Sequence, residues 1–386
     1  MTGRFIPFNR PQIEEEEIRA AVETLRSRWL TTGPRAEEFE RDFARYVGAR
    51  HAIAVSSGTA ALQLALVTAG VSAGDEVITT PFTFTATAEV IVHCGARPVF
   101  VDVRPEDALM DPARVEASLT PRTKAILPVH YAGQPCDVER LGAVAAASRL
   151  VLVDDAAHAL PARVGGRMVG TLGDLTAFSF YATKTITTGE GGMVTTAKEE
   201  YAERIRALRL HGLSRDAWTR HDADESWQYE VHEPGYKCNM MDLLAAIGIE
   251  QLKKCDAFHA ARCRCASAYT AAFSRMEAII PPREAAGRQN AWHLYVILIR
   301  PEMLTIDRGQ FVRQLRARNI GASVHFIPLH LQPYYRKAFG YAPGDFPNAE
   351  WFYERCISLP IYPGMTQDDV LSVIEAVADL SRRFRR

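Results

Sequence analysis

Along the 386-residue chain the spacing of apolar and polar positions changes several times, and each change marks an element. Residues 14–30 read as a helix, with Glu14 to Glu17 in the first turn and Arg26 and Arg28 near the end. Thr31-Thr32-Gly33-Pro34 breaks it, and acid-first, base-last is the order that a helix dipole favours. A second helix over 35–47 should end at Gly48. From there short β-branched runs at 51–56, 76–80, 97–103, 124–129, 150–154, 176–180 and 192–195 read as strands. Helical stretches at 59–69, 84–94, 112–119 and 138–147 separate several of them. This alternation predicts an α/β fold whose sheet is mostly parallel, with ligands at the carboxyl ends of the strands.

After about residue 200 the texture changes. Residues 201–227 read as a helix and then a polar, aromatic loop. One long helix is expected from about Met241 to beyond Ala266, followed by strands at 294–299 and 323–327 among helices. A closing helix starts near Gln367. The expected organisation is a large α/β domain over residues 1–245 and a smaller α+β domain over residues 246–386. No internal repeat or low-complexity tract is visible.

Bulk properties narrow the class. Hydrophobic content of 47% and charged content of 24% are ordinary for a soluble protein, and a net charge of −1 gives no reason to expect nucleic acid or an anionic membrane as partner. The start of the chain lacks a signal-type apolar core, and no run is long enough to span a bilayer. Seven scattered cysteines, without a metal-type or Cys-x-x-Cys spacing, suggest reduced thiols in the cytoplasm. The histidines show no metal-ligand set.

The candidate chemistry centres on two residues. Lys184 lies in Ser179-Phe180-Tyr181-Ala182-Thr183-Lys184, after a predicted strand and before a glycine-rich exit at 189, 191 and 192. Asp155 closes another apolar run, in Val153-Asp154-Asp155-Ala156-Ala157-His158. A lysine and an acid placed this way are the two fixed points of a pyridoxal phosphate site. The amine can form a Schiff base with the cofactor aldehyde, and the carboxylate can keep the pyridine nitrogen protonated. A lysine among cationic groups in a desolvated site can also have its pKa lowered enough to act as a base. Three other segments carry weaker signals. Ser56-Ser57-Gly58-Thr59 links a strand to a helix, and serves either as a plain N-cap or as a phosphate site. Phe84 is either core or a face for a cofactor ring. His158 is either a structural histidine or a partner of the cofactor's ring hydroxyl.

Together these segments resemble the DegT/DnrJ/StrS family of sugar aminotransferases, which have the type I fold of pyridoxal phosphate enzymes. The resemblance also rests on Trp29-Leu30-Thr31-Thr32-Gly33-Pro34 and on Gly235-Tyr236-Lys237-Cys238-Asn239-Met240-Met241-Asp242-Leu243. It implies that Lys184 binds the cofactor, that Asp155 faces the pyridine nitrogen, and that Phe84 stacks on the ring. It further implies that His158 flanks the ring hydroxyl and that Gly58, Thr59 and Ser179 hold the phosphate. Asn239 would reach the phosphate of a neighbouring subunit, hence a homodimer with shared sites. Thr31, Lys237, Arg215 and His325 are the implied substrate contacts. The implied reaction takes an amino group from L-glutamate, through a pyridoxamine form of the cofactor, to a nucleotide-linked 4-keto sugar. Pro128–Gly133, His211–Trp218, Ala291-Trp292-His293-Leu294 and His325-Phe326 look closest to members that aminate a UDP-linked 4-keto-pentose for lipopolysaccharide, so UDP is favoured. Cys238, where tyrosine is commoner, and Ile327-Pro328-Leu329-His330 depart from that branch. A dTDP- or GDP-linked sugar is the nearest rival. A non-transaminating or regulatory member is the other, and Lys184 argues against it.

Overall fold

The computed structural model describes residues 4–213 and 229–386. The β-branched runs form β1 His51–Val55, β2 Glu76–Thr79, β3 Arg97–Phe100, β4 Thr123–Leu127 and β5 Val151–Asp155. A short hairpin, β6 Arg163–Val164 and β7 Arg167–Met168, precedes β8 Leu175–Ser179 and β9 Gly192–Thr196. The main sheet has the order β1-β9-β8-β5-β4-β2-β3. Pairing is parallel from β3 through β2, β4 and β5 to β8, and β9 is antiparallel to both β8 and β1. The expected mostly parallel α/β sheet is therefore present. Because β1 runs the same way as β8, the carboxyl ends of β1, β2, β4, β5 and β8 share one edge, where the loops after them converge.

Both faces of this sheet are covered, which is why its strands read as continuous apolar runs rather than alternating ones. Ile53, Ile78, Ile126, Val153, Leu175 and Val194 are all buried. The helix Gly58–Thr68 is apolar nearly all round and packs between the sheet and its outer helices. The helix Pro34–Val47 begins with proline and ends at Gly48, whose φ of 79° is left-handed. Its amino end is capped from far along the chain. Asp242 Oδ1 accepts from the amides of Gly33 and Ala36 at 2.7 and 2.9 Å, and Oδ2 from that of Arg35 at 3.0 Å. Free amides at a helix start are thus satisfied by one buried carboxylate.

The second half builds a smaller lobe. It contributes β10 Ile279–Ile280, β11 Arg288–Gln289, β12 Tyr295–Ile299 and β13 Cys356–Leu359. β10, β12 and β13 form an antiparallel sheet whose core includes Tyr269, Phe273, Phe311, Val373 and Val377 from the covering helices. β11 instead joins the hairpin β6–β7, so a small sheet ties the two halves of the chain together.

Two expectations are corrected here. The single helix from Met241 is two helices, Asp242–Lys253 and Cys255–Phe273, with a turn at Lys254. The Lys254 ammonium is held by Glu14, Glu16 and Glu17 at 2.8, 3.0 and 2.9 Å, which anchors the turn against the first helix. Residues 323–327 are not a strand. Ser323 alone bridges to Ser358, after which the chain turns toward the large sheet, where the Tyr131 hydroxyl donates to the His325 carbonyl at 2.5 Å.

Candidate active site

Lys184 stands in a loop that its own neighbours close. The amide of Phe180 donates to the Gly191 carbonyl at 2.8 Å and that of Thr188 to the Phe180 carbonyl at 3.0 Å, pinning the loop's two ends together. Gly189, at φ 82°, makes the return that an L side chain rarely adopts. The Lys184 amide donates to the Tyr181 carbonyl at 2.9 Å, and Asn9 Nδ2 donates to the Thr183 carbonyl at 3.0 Å. The side chain is half-buried. Burial lowers the pKa of its amine to about 8, and the negative charge of Asp155 only partly opposes this.

Asp155 is the last residue of β5, and is buried. Its Oδ2 accepts from Thr87 Oγ1 at 2.8 Å and its Oδ1 from the Ala157 amide at 3.1 Å. Burial raises the carboxyl pKa, and neither those two hydrogen bonds nor the Lys184 charge offsets it. Such an acid is one that a cationic partner would stabilise.

The phosphate-type segment lies beside these two. The helix Gly58–Thr68 starts directly after β1, and Ser57 Oγ caps it by accepting from the Ala60 amide at 3.0 Å. A Cβ on Gly58 would stand 2.7 Å from Ser179 Cβ, and one on Gly192 would stand 2.3 Å from the Ser57 carbonyl oxygen. The helix start therefore meets the ends of β8 and β9 at backbone distance. Thr59, at the same start, is exposed.

An aromatic wall lines the other side. Phe84, which follows β2, is 58% exposed, and its ring lies 6.0 Å from that of Phe326. Phe326 is stacked on His158 at 6.0 Å and 21°, and His158 lies against His293 at 4.3 Å. His325 Nδ1 meets Ser358 Oγ at 2.9 Å, and its ring stacks on Phe8. Burial and the nearby Lys184 charge hold His325 down to about 4, and push His158 and His293 well below the ordinary histidine range. Three imidazoles near Lys184 are therefore neutral at pH 7.

The edge thus brings together Lys184, Asp155, His158, Ser179, Gly58, Thr59, Phe84 and His325. Three other expected residues make contacts of their own. Asn239 bridges to Val55, its Nδ2 donates to Thr32 Oγ1 at 2.5 Å, and its Oδ1 accepts from Lys237 Nζ at 2.5 Å. The Thr31 carbonyl accepts the Asp242 amide at 3.2 Å. Arg215 lies outside the described residues. Two residues were not singled out in the sequence, Thr87 and His293. Thr87 was visible only as one helical turn beyond Phe84, and His293 only as part of the Ala-Trp-His-Leu stretch. Among the described residues no group of three His, Cys, Asp or Glu could hold a metal ion, and no helix is long and apolar enough to cross a membrane.

Comparison with known proteins bears directly on this edge. Residues 11–378 match the DegT/DnrJ/EryC1/StrS aminotransferase family. The chain is 50% identical to the spore coat polysaccharide biosynthesis protein SpsC of Bacillus subtilis, over 98% of this chain and 97% of that one. Among solved structures, the putative sugar aminotransferase Spr1654 from Streptococcus pneumoniae in its PMP form is 34% identical, with a TM-score of 0.92 over 98% of this chain and 99% of that one. PseC from Helicobacter pylori, an aminotransferase of pseudoaminic acid biosynthesis, is 30% identical, with a TM-score of 0.92 over 99% of this chain and 100% of that one.

Proposed function

The chain belongs to the DegT/DnrJ/EryC1/StrS aminotransferase family, and from that premise we propose that this pyridoxal phosphate-dependent sugar aminotransferase carries the amino group of L-glutamate to a nucleotide-linked 4-keto sugar, UDP-linked by preference. One observation carries the reading. A half-buried lysine lowered to about 8 and a buried acid pushed up by desolvation lie within electrostatic reach of each other at the carboxyl edge of the sheet. Perturbed pairs of this kind mark functional sites.

The residues fit the cofactor. Asp155 is a buried carboxylate suited to a pyridinium, His158 Nδ1 is buried without a hydrogen-bond partner, and Gly58 leaves the start of its helix clear of any Cβ. When bound, pyridoxal phosphate supplies an aldehyde that condenses with amines and a ring that accepts electrons from an adjacent C–H bond. Asp155, steadied by Thr87 and the Ala157 amide, holds the proton at the pyridine nitrogen. Amides at the start of the helix Gly58–Thr68, with Thr59 and Ser179, hold the phosphate through the partial positive charge of a helix amino end. Phe84 would offer its exposed face to the ring, and His158 would meet the ring oxygen. Lys184 Nζ would hold the cofactor through its aldehyde carbon and, once the amino group of glutamate has displaced it from that carbon, would be free to take the proton from the glutamate α-carbon. In the second half the same amine would return a proton to the sugar carbon. An amine near pH 8 is neutral often enough at pH 7 to serve both tasks.

His325 borders the sugar, and Lys237 and Arg215 are assigned to the substrate diphosphate, with Thr31 beside them. The roles of SpsC and PseC, in spore coat polysaccharide and pseudoaminic acid biosynthesis, accord with a sugar acceptor. The test is direct. The enzyme with 15N-labelled glutamate is offered UDP-, dTDP- and GDP-linked 4-keto sugars, and products are weighed by mass spectrometry. Label in the UDP-linked amino sugar is the expected result. Label in another product alone would overturn the UDP assignment, and label in none would overturn the acceptor class.

A second copy completes the reading. The helix Glu15–Ser27 is turned inside out, with Glu17 and Thr24 buried while Ile18 and Leu25 are 48% and 52% exposed. Leu30, Tyr236 and Met241 are exposed as well. An apolar helix face left open this way is suited to a symmetric partner. Asn239 would then serve the partner's phosphate site. Sedimentation should give a dimer, and the Ile18→Asp/Leu25→Asp double variant should sediment as a monomer. A parent protein that sediments as a monomer at micromolar concentration would refute this.

A further inference from the structure

The segment that carries His293 is held with unusual closeness. Gly133, at φ 102°, has no room for a Cβ, which would stand 2.8 Å from Asn290 Oδ1, 2.9 Å from the Trp292 amide and 3.0 Å from the His293 amide. On either side the Ala291 amide donates to the Gly133 carbonyl at 3.0 Å and the Leu294 amide to the Ala132 carbonyl at 3.1 Å. Asn290 Oδ1 accepts from the Trp292 amide at 2.7 Å, and Trp292 takes a left-handed φ of 50°. From below, the buried Arg262 donates through Nη1 to the carbonyls of Trp292, His293 and Ile361 at 3.3, 3.4 and 2.8 Å. A buried guanidinium given to main-chain carbonyls is a costly arrangement, and here it ties the backbone of Trp292 and His293 to that of Ile361.

What that residue pair delivers is a ring. His293 is buried, its ring centroid lies 4.3 Å from that of His158 at 38°, and Phe326 covers His158 from 6.0 Å. The Nδ1 atoms of both imidazoles are buried without hydrogen-bond partners. His158 therefore has no buried hydrogen bond at Nδ1 to fix its plane, and its ring neighbours must do so. Lys184, Asp155, His325 and Arg262 are the charged or titratable groups around the pair. Burial first, and then Lys184 and His325, disfavour a second proton on either ring, and Arg262 adds to this at His293.

We propose that His293 is a positioning residue: held by the Gly133 turn and the Arg262 guanidinium, its ring packs on that of His158 and sets the plane in which His158 meets the cofactor. The inference rests on the reading of His158 as the partner of the ring oxygen. It gives the small lobe a part in binding the cofactor, since the His293 segment is anchored to Ile361 of that lobe.

Cofactor-free protein carrying His293→Ala, His293→Phe or His158→Ala is titrated with pyridoxal phosphate by intrinsic fluorescence, and the C2 proton of His158 is titrated by NMR. Loss of one ring contact in His293→Ala should raise the Kd about three- to ten-fold. It should also move the His158 titration up toward the ordinary value of about 6.5. His293→Phe, which keeps a planar face, should leave both close to the parent. His293→Gln, polar but without a ring, is the second variant should alanine fail to fold, and is expected to match alanine. A ringless variant with parental Kd and parental His158 titration overturns the proposal if His158→Ala weakens binding. If His158→Ala also binds normally, the reading of His158 fails instead, and the NMR titration alone then decides whether His293 holds that ring.

Discussion

Replacing Lys184 by alanine should lower transamination at least about a thousand-fold while the protein still folds, because the proposed function makes the amine both the cofactor's anchor and the base. The loop does not depend on the side chain. Its shape comes from the Phe180–Gly191 and Thr188–Phe180 main-chain bonds and from Gly189. Removing a desolvated amine costs the fold little, so the melting temperature of the cofactor-free protein should hold or rise. The parent should also show a pH signature. With the amine at about 8, roughly a tenth is neutral at pH 7, so the rate of cofactor capture should climb steeply between pH 6 and about 8 and then level. A lysine with an ordinary pKa would give a rate still climbing at pH 9. Residual turnover in Lys184→Ala within ten-fold of the parent would contradict the assigned role.

Asp155→Asn should separate stability from activity in the opposite direction to most core changes. The amide keeps the shape: its one oxygen can accept from the Ala157 amide and its NH2 can donate to the Thr87 hydroxyl in place of the bond now accepted from it, but it would not hold a proton at the pyridine nitrogen through charge. Breaking a buried ion pair by neutralising one partner costs about 3–5 kcal/mol, so kcat/KM should fall a hundred- to a thousand-fold or more. The cofactor-free protein should behave otherwise. The folded carboxyl has a raised pKa, so the folded state holds its proton to higher pH than the unfolded chain does. The stability this gives is present at low pH and is lost as pH rises through the unfolded value, about 3.9, toward the folded one. At pH 7 Asp155 is therefore a burden on the empty protein, and Asn should leave its melting temperature equal or higher. A clear drop in melting temperature with little loss of activity would mean that Asp155 is a structural acid.

How much of this was legible in the sequence follows the range of the interactions. The parallel strands were, because burial on both faces leaves near-continuous β-branched runs such as residues 150–154 and 192–195. Lys184 and Asp155 were as well, since strand ends followed by glycine or small residues are local signals. Contacts between distant segments were not. The break at Lys254 depends on three glutamates some 240 positions earlier, and nothing in residues 241–266 announces it. The first helix reads as a helix, yet its inverted burial arises from Lys254 and Gln251 drawing in Glu17. Residues 323–327 have strand-like composition, but Tyr131 takes the His325 carbonyl that a ladder would use. Thr87 and His293 escaped notice for the same reason: each matters through a partner far away in the chain, Asp155 in one case and His158 in the other.

The most direct test is to load the purified protein with pyridoxal phosphate, reduce it with sodium borohydride, digest it, and locate the modified lysine by mass spectrometry. The account predicts a single stable adduct on the peptide that contains Lys184, absent when L-glutamate is added in excess before reduction. An adduct on another lysine, on none, or one that glutamate does not displace would contradict it.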